Sequence, residues 1–192
     1  MSITSLGQTI PVLGVNLGFP GAVSRIPNPV VVARPVNTGS TLNLNFGDPA
    51  VVISDTTGGT WKSVADFMAN GGGSAATALS NFAGFAVREV KTQLGYPGTY
   101  GAQTVGYYVP GEIAEVLEQG AILVTLAAGT PQSNQQAYIR VVSNPAISTV
   151  IGGVEAAADG VNTITVPGLV FKTGDVDANN MVEVIMIVRH AA

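Results

Sequence analysis

From Phe82 to the end of the chain, runs of strand-forming residues recur roughly every ten to fifteen positions, with Gly, Pro and Asn between them. The runs are GFAVREVKTQ, TVGYYV, GAILVTLAAG, QAYIRVV, NTITVPGLVF and VEVIMIVRH. No helical period of useful length separates them, so βαβ crossovers are not expected. The spacing predicts a mainly β protein, an antiparallel β-sandwich or small barrel of jelly-roll-like kind.

One segment tests that reading. In YYVPGEIAEVLEQGAILVTL (107–126), Glu112, Glu115 and Glu118 recur every third residue. As a helix, the segment would stack like charges and lack an apolar face. As a strand, Ile113, Glu115 and Leu117 face one way and Ala114, Val116 and Glu118 the other. Gln119 and Gly120 then read as a turn and AILVTL as the returning strand, which predicts a hairpin.

The first third is different. Pro20, Pro27, Pro29 and Pro35 lie among glycines, and proline fixes φ and removes a backbone donor. Residues 1–55 are expected to be an extended arm with short strands. Within it, TLNLNF alternates, with Leu42, Leu44 and Phe46 on one face, and AVVIS follows a Gly-Asp-Pro turn. Residues 56–81 are expected to hold one short helix and a linker. Thr60 caps the helix, Trp61, Val64, Ala65 and Met68 fall at its spacing, Gly71–Gly73 stop it, and a Gly/Ala/Ser linker follows. Residues 82–192 form the β-domain.

Composition excludes several functions. Eight Lys and Arg against twelve Asp and Glu give a net charge of −4, too little positive charge for a phosphate-binding face, so no nucleic acid is expected. There is no cysteine, and the one histidine is His190, which removes thiolate and histidine metal sites and a buried Ser-His-Asp triad. The N-terminal stretch lacks a basic region followed by a compact apolar one, and no apolar run is long enough for a membrane helix. A protein made in the cytoplasm, with no membrane partner, is expected. Charged residues are only 10% of the chain, against roughly 25% in average soluble domains. Surfaces so poor in charge predict a homo-oligomer.

Weighed singly, the candidate chemistries fall away. Paired glutamates for glycoside hydrolysis need convergence, and the strand pattern splits them between faces. Asp175, Asp177 and Asn179 begin like a calcium loop, but Asn180 stands where a glycine is needed and Met186 where a bidentate glutamate is needed. The glycines of NGGGS have no lysine after them. Tyr96, Tyr100, Tyr107 and Tyr108 cluster in sequence, as a carbohydrate platform or a protein contact. No catalytic, cofactor-binding or metal-binding residue is predicted.

The order of segments then resembles a known family. GFAVREVKT, an aromatic strand running into YYVPGEIAEVLEQGAILVTLAAG, QAYIRVV and a closing TVPGLVFKTGDVDANNMVEVIMI are similar to the structural cement, or capsid decoration, proteins of tailed bacteriophages. The resemblance spans nearly the whole chain and is weakest at 55–80. It implies a non-enzymatic virion protein on the capsid exterior, made in the host cytoplasm. Such a protein would bridge neighbouring major capsid proteins as a dimer or trimer. The residues expected to touch the shell or another copy are Val30, Val31, Val32, Leu42, Leu44 and Phe46 of the arm, with Tyr96, Tyr100, Tyr107 and Tyr108. A tail or head-fibre component and a carbohydrate-binding β-sandwich are the competing readings.

Overall fold

The computed structural model describes residues 2–5, 8–11, 17–24, 28–54, 58–70, 74–89 and 106–189. The fold is organised by a single long strand, β9 (Ile113–Ala128). It carries no turn at Gln119-Gly120, so the expected hairpin is not formed. Gly120 has φ +135°, a conformation that lets the chain bend while staying extended. Strand alternation encodes faces but not partners, and each half of β9 pairs elsewhere.

The second half of β9 belongs to a closed five-stranded barrel. Thr125 to Gly120 pair with Met181 to Met186 of β13 (Met181–Met186). β13 pairs with β12 (Thr163–Phe171), and β12 with β10 (Gln136–Arg140). β10 pairs with β11 (Val154–Glu155), which returns to β9 in parallel, Val154 opposite Leu126. All other pairings in the barrel are antiparallel. Its core contains Ile122, Val124, Ile139, Val166, Leu169, Phe171 and Val184, all about fully buried. Pro167-Gly168 interrupts β12, and the register against β10 slips there. Gln136 covers the gap, its Nε2 lying 3.0 Å from the Val166 carbonyl and 2.9 Å from that of Leu169.

The first half of β9 builds a second ring. On one side lies β3 (Val30–Pro35), with Val32 opposite Val116 and Ala33 opposite Glu115. On the other lies β7 (Phe82–Ala86), followed by β5 (Pro49–Ile53) and β6 (Thr60–Ser63). A bridge from Val36 to Trp61 joins the end of β3 to β6. A two-stranded piece, β4 (Leu44–Asn45) with β8 (Tyr107–Tyr108), covers this ring. The interior sets Trp61, Phe46 and Tyr108 among Ala50, Ala83, Ala86 and Ala114, a large-with-small arrangement that fits a narrow barrel. Ala114 and Val116 face this core, whereas Leu117, Ile122 and Val124 face the first. The change of phase falls where β3 slips register, between Gln119 and Leu117, next to Gly120.

Of the two expected architectures, the barrel is the one formed, with further strands attached. Three expectations need correction. Thr60 and Trp61 lie in β6, and the helix α1 (Val64–Ala69) starts later, capped by Ser63, whose hydroxyl accepts from the Asp66 amide. β-pairing to β5 takes Thr60 and Trp61, whereas Val64, Ala65 and Met68 lie in α1. The Gly/Ala/Ser stretch contains a second helix, α2 (Ala75–Ser80), capped by Ser74 and anchored by the buried Ala78. The arm does not extend to residue 55, because β3 and β5 are strands of the same sheet as β9. Before β3, residues 17–24 also run along β9, with Val23 bridged to Ile122 and the Gly21 amide donating to the Leu123 carbonyl, while β1 (Ser2–Ser5) and β2 (Gln8–Pro11) form a hairpin of their own.

Candidate functional site

The three glutamates do not converge. Glu112 follows the Pro110-Gly111 turn and accepts from the Val109 amide at 2.9 Å. Glu115 is exposed mid-strand, while Glu118 is buried and paired with Arg189 at 2.7 Å. Glu118 ties the C-terminal segment to β9, a structural task.

The calcium-like segment is also internally satisfied. Asp177 accepts from the backbone amides of Asn179 and Met181, each at 2.8 Å, and from that of Leu17 at 3.2 Å. Burial alone would raise its pKa, but these three donors outweigh it and hold the carboxyl below its ordinary 3.8. Among the described residues, no group of three His, Cys, Asp or Glu side chains is arranged to hold a metal ion.

The expected contact residues separate into three sets. Leu44, Phe46 and Tyr108 are buried within the chain's own second core, so they are not a surface. The Tyr108 hydroxyl donates to the Val87 carbonyl at 2.9 Å, and its ring meets Phe46 edge-on at 5.2 Å. Val31, Leu42 and Tyr107 are exposed, and Val30 and Val32 are half-buried along β3. Tyr96 and Tyr100 lie outside the described residues.

Two surface features lie elsewhere. At one end of the first barrel, the loop between β10 and β11 and the turn at Gly160–Asn162 present Val142, Ile147, Val150 and Val161 to solvent. A buried ionic clamp holds these loops. Arg140, fully buried on β10, pairs with Glu155 of β11, its Nη2 donating to Oε2 at 2.8 Å, and with Asp159 at 2.9 Å. Asn144 and then Arg140 hold the Asp159 carboxyl below its ordinary pKa, and Asn162 donates to it as well. The clamp's charged groups pair with one another beneath these apolar tips, so the loops present no buried unpaired charge of the clamp's own.

The second feature is a groove of about 370 Å³ between the two barrels. Its lining brings Phe46, Asp48 and Pro49 together with Val64, Leu126 and residues 150–154. Among the described residues, Asp48 is the only ionisable one lining it. Its Oδ2 accepts from the Asn45 amide at 3.0 Å and from Asn45 Nδ2 at 2.8 Å. Burial pushes the Asp48 carboxyl up to about 6 despite those bonds. Sequence reasoning treated Gly-Asp-Pro as a turn only. It had no signal for the groove, because part of the lining comes from residues a hundred positions away.

A family model described as "Structural cement protein (E217 gp24/Pam3 gp6)" matches residues 9–186. Among solved structures, a chain reported under "The capsid of Myoviridae Phage XM1" superposes with a TM-score of 0.50 at 17% identity, covering 92% of this chain and 92% of that one. At that identity the likeness is one of fold. No curated protein sequence matches.

Proposed function

Because this chain belongs to the phage structural cement protein family, we propose that it binds the outside of an assembled capsid and links neighbouring major capsid proteins, stabilising the shell without catalysing a reaction. The observation that carries this reading is the preset apolar surface: Val142, Ile147, Val150 and Val161 stand exposed on loops locked by the Arg140 clamp. Apolar side chains held out in water favour a partner that covers them, and prior rigidity lowers the entropy lost on docking. The N-terminal hairpin supports a bridging role, since β1 and β2 pair with each other and, among the described residues, with no other strand. A chain that reaches a neighbour in this way acts as a dimer or trimer on the shell.

The test compares phage particles made with and without this protein. Negative-stain imaging should show added density on the outer surface only when it is present, and decorated shells should release DNA at a higher temperature. Shells that neither gain density nor gain heat resistance would reject the reading.

A further inference from the structure

The groove between the barrels combines mostly apolar walls with one carboxylate that lacks a cation. Among the described residues, no Lys or Arg pairs with Asp48. Six of the chain's eight cations are already engaged within it. Lys62 pairs with Asp66, Arg140 with Glu155 and Asp159, Lys172 with Glu183, and Arg189 with Glu118. Arg34 donates to the Gly58 carbonyl and lies over Trp61, and Arg88 lies over Phe19 and Phe46. The other two, Arg25 and Lys91, lie outside the described residues. A second copy would therefore have to break its own contacts to supply any of the six. Charge complementarity favours a different, basic partner.

Size points the same way. About 370 Å³ is near the lower end of the roughly 300–1,000 Å³ that binding clefts use. It suits one long side chain with its flanking residues, not a folded element. The apolar lining suits the methylene stem of a lysine or arginine, whose charged head would then meet the one carboxylate that lines the groove. Val150 belongs both to the groove and to the exposed apolar loops, so the two features form one continuous surface.

We propose that this groove takes a lysine or arginine side chain carried on an extended segment of the shell protein, with the Asp48 carboxylate as its counter-ion. The identity of the partner rests on the cement reading above. A carboxylate whose charged form is disfavoured in the free protein gains most from a cation brought by a partner.

The experiment measures co-sedimentation of the full chain with shells purified from the same phage without this protein, at low and high salt. Asp48→Asn, which keeps the side-chain shape, should weaken binding about tenfold and flatten its salt dependence. Asp48→Lys should weaken it about a hundredfold or more, with far-UV circular dichroism confirming that both variants are folded. If Asp48→Lys fails to fold, Asp48→Asn alone decides. A folded Asp48 variant that binds as tightly as the unaltered chain, with the same salt response, would overturn the groove while leaving the cement reading intact. Failure of the unaltered chain to bind would overturn both. A third arm measures self-association by light scattering without shells. Loss of self-association in the Asp48 variants would make a second copy the occupant and overturn the proposal.

Discussion

The indole nitrogen of Trp61 on β6 donates to the carbonyl of Ala114 on β9 at 3.1 Å, across the interior of the second ring. β5 and β7 lie between those strands in the sheet, so this bond, with the Val36–Trp61 bridge, turns a row of strands into a ring. Trp61 is fully buried and is the only tryptophan. Trp61→Phe removes the donor and part of the volume, and should cost about 1–3 kcal/mol. Trp61→Ala should cost about 3–5 kcal/mol. Urea unfolding followed by far-UV circular dichroism checks both. A loss below about 0.5 kcal/mol for Trp61→Ala would mean that the second ring is not a cooperative part of the fold.

Gly84 marks where β7 crosses closest to β9. A Cβ there would stand 1.9 Å from the Leu117 carbonyl oxygen and 2.7 Å from its carbon. Both are backbone atoms, so the strands themselves would have to separate. Gly84→Ala should cost about 4 kcal/mol or more and yield largely insoluble protein. Gly160→Ala is the control. It has φ +52° but nothing within 4 Å, and should cost only about 1–2 kcal/mol. Equal expression and melting of the two variants would contradict the close crossing.

These features show what the sequence could and could not carry. Strands β10, β12 and β13 were legible because each has a partner close in sequence and is bounded by turn residues. The path of β9 was not. Gln119-Gly120 satisfies the chemistry of a hairpin turn, and the competing partners β3 and β13 keep the strand continuous through it. Leu44 and Phe46 were legible as buried positions, but periodicity does not say whose core they fill. Asp48 and Arg140 gave no signal, because a lone charge in a strand-rich segment reads as surface until its distant neighbours are placed.

Asp48 should make the protein less stable as pH rises. Its pKa is 3.8 when unperturbed and about 6 in the fold. Between those values the folded state holds more protons than the unfolded one, so stability falls as pH increases through that window. Above about pH 6 the full burden of the buried charge is present. Asp48→Asn should therefore raise stability at pH 8, by about 1 kcal/mol after allowing for solvent screening of a half-buried group. The gain should vanish near pH 4. Melting curves at the two pH values decide it, and a gain of equal size at both would contradict the assignment.

Asp177 should act with the opposite sign. Its folded pKa lies below 3.8, so it stabilises the fold at neutral pH, and that contribution is lost as pH falls through the folded value. Asp177→Asn weakens charge-assisted bonds to three backbone amides and should cost about 2 kcal/mol at pH 7. One of those amides belongs to Leu17, so hydrogen exchange there should accelerate more than at Val184 in the barrel core. Unchanged exchange at Leu17 would show that Asp177 does not anchor the entry to the fold.

The N-terminal segment gives the sharpest test of bridging. Truncation has to stop before Leu17, because residues 30–35 form a strand against β9 and Leu17 is held by Asp177. Among the described residues, β1 and β2 pair only with each other. Two strands alone are marginal in water, and ordering each residue costs roughly 1–2 kcal/mol. On the bridging proposal the hairpin contributes little to the stability of the isolated protein and buries apolar surface against a neighbour, at about 25 cal/mol per Å². Deleting residues 1–16 should leave the melting temperature within about 2 °C of the full chain, equivalent to less than about 1 kcal/mol. It should also weaken shell binding or self-association at least tenfold. Both are read on one preparation, by thermal melting and by co-sedimentation with shells. A truncated protein that melts much earlier would place the hairpin in the core of its own chain. One that binds shells as tightly as the full chain would show that the segment bridges nothing.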